Sequence, residues 1–441
     1  MLRRFSLYGF LKNQRYHEPF FVLALIEQGL GFFEIGLLIG IRELCVTLLE
    51  IPSGALADVY GRRRCMVVSF AAYILSLVLL ALAPGMPLLC AAMVLYAIGD
   101  AFRSGTHKAM IFEWLRAQGR ASEKAEVYGY TRSWSKRGAA VGALAGAGIA
   151  LWAVDFTTVF WFTLIPYAIN LVNLATYPRA LEGSQDQRAP RRVGEVVRVT
   201  ARGLRDAARV PALRRLLGES MAFHGSHKLA REYLQPMVAL AIVGLPWIGA
   251  AALLGDSVGD SVVVGGEQAT FRGTAIALGL AYFALGLIES AASRRAGSLA
   301  RALGGPGHAT RWLWRANLLG FALMLGALRL GWTSVAVVVF LVQTGALQNL
   351  FRPVQLARLD EHTPAELQAT ILSIESQSKA LFVAALAPLV GLALDRSLDA
   401  SLHRVAADVW IVAALGCAWA LLFCVLRPAR PRVPERSPAP D

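Results

Sequence analysis

Asp100, Arg103, His107 and Lys108 stand in the stretch GDAFRSGTHKAMIFEW (99–114). Their spacing, i, i+3, i+7 and i+8, puts all four on one face of a helix. Together they offer a carboxylate, a guanidinium, an imidazole and an ammonium, which can hold an ion, pair with each other or pass a proton. The surrounding residues are apolar, and a charge at the centre of a membrane helix costs about 2.5–3.5 kcal/mol on insertion scales. Each charge therefore needs a partner or a visiting ligand.

The same pattern recurs along the chain. YGFLKNQRYHEPFF (8–21) carries Lys12, Asn13, Arg15, His17 and Glu18, and IRELCVTLLE (41–50) carries Arg42, Glu43 and Glu50. TRSWSKRG (131–138) adds Arg132, Lys136 and Arg137, while ESMAFHGSHKLAREYLQP (219–236) adds His224, His227, Lys228, Arg231 and Glu232. Further on come Gln348, Asn349, Arg352, Glu375 and Lys379. Some of these form structural pairs, with Arg15–Glu18, Asp100–Arg103 and Arg231–Glu232 as the expected ones. Cations outnumber acids in the set, and a surplus of buried cations is costly unless an anion visits.

The elements that hold these residues follow from composition. The 441 residues are 56% hydrophobic and 17% charged, far from a soluble average. Apolar runs of about 20 residues, the length that spans the hydrocarbon core, recur throughout. Hydropathy places about twelve spans at 5–27, 33–57, 65–84, 87–115, 125–152, 158–177, 212–242, 271–290, 309–329, 333–357, 367–394 and 404–426.

The net charge of +14 could point to nucleic acid, but its distribution argues against it. Arg62–Arg64, Arg116, Arg120, Lys124, Arg294, Arg295, Arg301, Arg427, Arg430 and Arg432 all fall on one set of alternate loops. The connections near 28–32, 84–87 and 153–157 hold no Lys or Arg, and only Arg396 and Arg404 flank the one near 400. The positive-inside rule then makes both termini cytoplasmic, and the basic loops face anionic lipid. The N-terminal stretch lacks the features of a cleavable signal peptide, so the first span is expected to be retained. The five cysteines, Cys45, Cys65, Cys90, Cys417 and Cys424, form no CxxC and read as apolar filler.

A polar break at 178–211 divides the spans six and six. It carries Arg198, Arg202, Arg205 and Arg209 at helical spacing, as in a helix lying on the inner leaflet. The expected organisation is an N-terminal bundle (1–177), a central cytoplasmic loop with that amphipathic helix (178–211), a C-terminal bundle (212–426) and a Pro-rich tail (427–441). The segment 243–270, with Asp256, Asp260 and Glu267, reads as an external loop. Shifted by 240 residues, KAEVYGYTRS (124–133) lies on PAELQATILS (364–373), which pairs Ala125 with Ala365, Glu126 with Glu366 and Ser133 with Ser373. Each segment begins the fifth span of its half, as a duplicated unit requires.

Between spans 2 and 3 lies GALADVYGRRR (54–64). Gly54 would allow close helix approach and Gly61 a sharp turn; an ionised Asp58 there needs a partner. Gly54, Leu56, Ala57, Asp58, Gly61, Arg62 and Arg63 resemble the G-x-L-A-D-x-x-G-R-K/R signature of the major facilitator superfamily, and with the span pattern the resemblance covers essentially the whole chain. It implies an all-α membrane fold of two pseudo-symmetric six-helix bundles, with spans 1, 4, 7 and 10 around a central cavity. It also implies a latch: Asp58 engages the start of span 11, and the motif arginine pairs with an acid ending span 4, here Glu113. The second-half copy ESAASRRAG (289–297) keeps Arg294, Arg295 and Gly297 but lacks the aspartate.

The solute cavity is accordingly assigned to Arg15, Glu18 and Arg42; to Asp100, Arg103, His107 and Lys108; to Arg132 and Lys136; to His224, His227, Lys228 and Arg231; and to Gln348, Asn349, Arg352 and Lys379. The expected function is secondary active transport of a small anionic or carboxylate-bearing solute by alternating access across a bacterial inner membrane, by a monomer without cofactor or resident metal. Glu18, Asp100, His107 and His224 are the candidates for proton coupling, with His227 a further titratable neighbour. Efflux of amphipathic compounds over Tyr8, Phe20, Phe102, Trp134 and Tyr233 is the alternative. A copper carrier using His107, His224 and His227 with Met110 and Met221, and a non-transporting sensor, are lesser ones. No motif of a hydrolase, zinc protease or nucleotide-binding enzyme occurs in a fitting context.

Overall fold

The computed structural model describes residues 1–82, 85–120, 123–178, 181, 198, 210–243, 261–264, 267–363, 368–400 and 409–425. A few side chains within these ranges, that of Asp58 among them, lie outside the description. So do most of 178–211, the tail 427–441, and Ala365 and Glu366 of the proposed repeat.

The first half contains α1 (Leu2–Leu11), α2 (Phe21–Glu27), α3 (Phe32–Tyr60), α4 (Arg62–Leu82), α5 (Met86–Arg103), α6 (Thr106–Ala117), α7 (Lys124–Ala153) and α8 (Thr158–Ala175). The second contains α9 (Pro211–Glu232), α10 (Leu234–Val243), α11 (Phe271–Ala302), α12 (Pro306–Arg329), α13 (Thr333–Val342), a π-turn at Gln343–Leu347, α14 (Gln348–His362), α15 (Gln368–Ala400) and α16 (Trp410–Val425). These helices make the twelve spans, and four spans are interrupted. Span 1 breaks between α1 and α2, span 4 at Ser104–Gly105, span 7 at Tyr233 and span 10 at the π-turn. These are the first and fourth spans of each half, where a broken helix presents free backbone groups to a polar interior.

Helix pairing repeats between the halves. α1 packs on α7, α3 on α5 and α4 on α8; correspondingly α9 packs on α15, α11 on α14 and α12 on α16. The fold is an all-α membrane architecture of two pseudo-symmetric six-helix bundles. Its outer surface is apolar: Trp152, Leu280, Leu319 and Val338 are each more than half exposed, which suits lipid rather than water. Six helices among the described residues are long and apolar enough to cross a membrane. The other spans are broken, shortened or diluted by polar side chains.

Two departures from the sequence reading concern the second half. The helix of span 8 does not stop near 290: α11 continues unbroken to Ala302 and carries Arg294, Arg295 and Arg301. The segment read as a loop at 243–270 contains an antiparallel hairpin, β1 (Ser261–Val264) with β2 (Glu267–Thr270), in the register Ser261 with Thr270 and Val264 with Glu267. The β-branched Val262–Val264 favours extended backbone, but so short a run gives little periodicity to read.

The halves meet along α3 with α15 and α7 with α11. A Cβ on Gly36 would run into the Ala387 carbonyl, and one on Gly391 into the Phe32 backbone. The Asp395 carboxylate accepts the N–H groups of Phe32 at 2.9 Å and Phe33 at 2.7 Å, which caps α3 from the opposite half. Gln235 accepts the Val22 N–H at 2.7 Å, and Phe156 stacks on Phe271 at 4.2 Å. All of these contacts lie toward the end that carries the turns at 28–31 and 154–157. The halves are therefore closed on each other there, and the cavity they enclose faces the basic loops.

Candidate functional site

A central cavity of about 700 Å³ lies between the halves, lined from the broken spans and from α3, α11 and α15. Arg15, Glu18, Arg42, Asp100 and Arg103 enter it from the first half. His224, Lys228, Arg231, Gln348, Asn349, Arg352 and Lys379 enter from the second.

Its charges form a connected web. Arg42 reaches Glu232 at 3.1 Å and Glu43 at 3.3 Å, and Lys228 reaches the other oxygen of Glu43 at 2.5 Å. Arg231 lies 3.7 Å from Glu18 and 3.1 Å from Glu289, which is also 3.8 Å from Lys136. Arg15 sits 3.9 Å from Glu18, and Arg103 bonds Asp100 at 2.7 Å and the Tyr73 hydroxyl at 2.9 Å. Glu375, fully buried, takes Lys379 at 2.9 Å and also accepts from Arg352 and Ser220. The expected Arg231–Glu232 pair is not formed; the two residues reach different partners across the interface.

The surplus of cations disappears in this geometry. Seven Lys and Arg side chains line the cavity with six Asp and Glu, and Glu375 supplies the seventh acid through its bonds to Arg352 and Lys379. Glu289 had no place in the sequence-based site, because it fell at the expected end of span 8. Glu43, Glu50 and Glu232 were visible as intramembrane acids, but only folding turns them toward the cavity. Two groups are left under-partnered. Among the described residues Glu50 makes no ion pair, only a 3.5 Å contact from the Ser104 hydroxyl; the buried Nε of Arg15 has no hydrogen-bond partner.

Several predicted cavity residues sit elsewhere. His107, Lys108, Arg132 and Lys136 line a second cavity of about 400 Å³ between α1, α6 and α7, which meets the central one at Arg103 and Ser104; the break after Arg103 turns α6, with His107 and Lys108, away from the centre. His227 lines neither: its ring stacks on Phe223 at 4.9 Å and its Nδ1 lies 2.7 Å from the Phe223 carbonyl oxygen. His107 is thus parted from His224 and His227, and the copper trio does not assemble. Nor do the aromatics of the efflux reading line the central cavity. Phe20 stacks on Phe156, Tyr233 packs on Phe32, Trp134 packs on Phe10, and Tyr8 stacks on His107 at 3.7 Å.

In the motif loop, Arg62 donates to Glu113, and Arg63 donates to the Ala175 carbonyl at 2.8 Å. Gly61 makes the turn between α3 and α4 at φ +93°, a conformation that favours glycine. Among the described residues a Cβ on Gly54 would meet nothing within 4 Å; the start of span 11 at 364–367, which the motif is expected to face, lies outside them. The tight approaches of α3 are at Gly36 and Gly40, toward the closed end. Sequence reading missed a second ion pair of the basic end, where buried Arg358 of α14 donates to Glu219 of α9. Arg215 joins the same carboxylate at 2.9 Å.

Residues 16–376 match the sequence profile of the Major Facilitator Superfamily. The uncharacterized MFS-type transporter YxaM of Bacillus subtilis (strain 168) is 31% identical over 89 residues, a stretch covering 20% of this chain and 22% of that protein. The chain thus spans about a fifth of that relative's length. The crystal structure of the nucleoside transporter NupG superposes with a TM-score of 0.72 at 9% identity, covering 96% of this chain and 97% of that one. A POT family transporter in complex with 5-aminolevulinic acid gives 0.67 at 12% identity, with 96% and 95% covered. A D-xylose-proton symporter gives 0.58 at 16%, with 97% of each covered. At these identities the likeness is one of fold.

Proposed function

The chain belongs to the major facilitator superfamily and is a secondary transporter of that type; from that premise we propose that it carries a small polar solute bearing a carboxylate and a cationic group. The solute binds between the halves and crosses by alternating access. The observation that carries this reading is the charge balance of the central cavity, with Arg15 and Glu50 as its under-partnered members. A pure anion would leave the acids of the web uncompensated, whereas a zwitterion offers a carboxylate to Arg15 and a cation to Glu50. This narrows the anionic class expected from sequence to carboxylates that also carry positive charge.

The membrane is a bacterial inner membrane, with both termini and the basic loops cytoplasmic and the chain acting as a monomer. On that assignment the closed end is external and the cavity faces the cytoplasm. Proton coupling would use titratable groups of the cavity, Glu18, Asp100 and His224, joined by Glu50. His107, away from the centre, is not part of that set. The Arg62–Glu113 pair and Asp58 together form the latch that steadies the opposite, outward-facing state.

The test is counterflow in proteoliposomes loaded with unlabelled amino acids, dicarboxylates, pentoses, nucleosides or lipophilic cations, against the same solutes labelled outside. Exchange of a zwitterionic carboxylate that is weakened in Arg15→Gln supports the reading. Exchange confined to lipophilic cations would replace it with efflux.

A further inference from the structure

The cavity between α1, α6 and α7 has a composition unlike the central one. Five Lys and Arg side chains line it, together with His107, and no Asp or Glu. Arg103 is bonded to Asp100 and Lys136 is near Glu289, but Lys12, Lys108 and Arg132 make no ion pair among the described residues. Lys12 lies over Tyr8 at 5.7 Å, and Lys108 lies over Phe112 and Tyr128 at 5.4 Å each. These contacts steady an ammonium without neutralising it.

A second feature points the same way. The N-terminus of α6 opens on this cavity through Gly105, His107 and Lys108 and carries no side-chain cap. Its first N–H groups and the positive end of its dipole are left to whatever occupies the space. The buried Nε2 of His107 is likewise without a hydrogen-bond partner.

We propose that this side cavity, which adjoins the central one at Arg103 and Ser104, is an anion site for a doubly charged phosphate group. A single carboxylate would offset only part of three unpaired cations; a phosphate dianion offsets more and offers enough acceptor oxygens for Lys12, Lys108, Arg132 and the α6 N–H groups together. The group could belong to a soluble phosphate or to an anionic lipid headgroup, which present the same oxygens.

The experiment titrates the full-length protein in neutral detergent with inorganic phosphate at constant ionic strength, reading the unfolding midpoint, since a ligand of the folded state raises it. A parallel arm compares phosphatidylcholine nanodiscs with and without phosphatidic acid. The expected result is a phosphate-specific rise whose apparent constant weakens by about tenfold or more in Lys108→Gln/Arg132→Gln. Arg132→Gln alone, at an exposed position, should give an intermediate loss should the double variant fail to fold. Lys228→Gln, in the central cavity, should keep the rise. A variant-sensitive rise with phosphatidic acid alone assigns the site to lipid, and with inorganic phosphate to a soluble ligand. No rise with either probe, or a rise retained in the double variant, overturns the proposal, while solute counterflow tests the central cavity independently.

Discussion

Lys228 of the second half reaches Glu43 of the first at 2.5 Å, beside the Arg42–Glu232 bond between the same two helices. Both contacts tie α3 to α9 across the cavity, so a transporter that changes its facing must loosen or exchange them. A double-mutant cycle of Glu43→Gln and Lys228→Gln, read by thermal unfolding, should give a coupling of about 0.5–3 kcal/mol, toward the lower end because Lys228 is partly exposed. A coupling near zero would mean that the pair is incidental.

Asp58→Asn should insert and fold normally yet transport more slowly, through loss of the outward-facing latch. Cysteines placed along the cavity would then report a larger cytoplasm-open population, seen as faster labelling from that side. Normal transport by this variant removes the latch assignment.

Arg103 touches both cavities and holds Asp100 and Tyr73. Its replacement by alanine should raise the apparent solute constant by about 10–150-fold, the worth of a charge-assisted hydrogen bond. Unchanged uptake kinetics would exclude Arg103 from solute binding.

Gly36→Val and Gly391→Val should prevent closure of the external end, because neither position has room for a side chain against the opposite backbone. The expected outcome is a population held open to the outside, with labelling of cavity cysteines from that face and little turnover. Wild-type exchange in both variants would show that the halves pack differently there.

Asp155 gives an acid-dependent prediction outside the membrane. Burial pushes its carboxyl up, but hydrogen bonds from Thr158 and Thr157 outweigh burial and hold it below the usual carboxylate range. Its stabilisation is thus present above the unfolded value, about pH 4, and is lost as pH falls through the folded one. Asp155→Ala should lower stability at neutral pH by about 0.5–2 kcal/mol, as loss of a helix cap does, and the difference from wild type should shrink in acid. A difference independent of pH would mean that the carboxylate charge is not what matters.

The helix order was legible in sequence because a membrane span needs a long apolar run, and the six-plus-six division because one polar break is longer than the rest. The charged residues were legible too, since each stands out in hydrocarbon. Their partners were not. Arg231 was matched with its neighbour Glu232 because sequence displays adjacency, whereas successive helical residues diverge by about 100° and these two find acids and bases on opposite helices. The close approaches at Gly36 and Gly40, earlier on the helix that carries Gly54, were not legible, because a glycine in a span does not say which backbone it meets. Lys108 and His107 fall in the side cavity because the turn at Gly105, with φ +74°, redirects α6, and Arg132 and Lys136 of α7 line that cavity with them.

The interleaved acids and bases of the central cavity also bear on energetics at the membrane. Transmembrane voltage acts on net charge moved, about 2.3 kcal/mol per elementary charge per 100 mV. A binding site that neutralises itself contributes little gating charge of its own as the two halves rock around it. The current measured per turnover should therefore count the charge on the solute and on any accompanying proton, and coupling stoichiometry can be taken from the reversal potential with little correction for the protein.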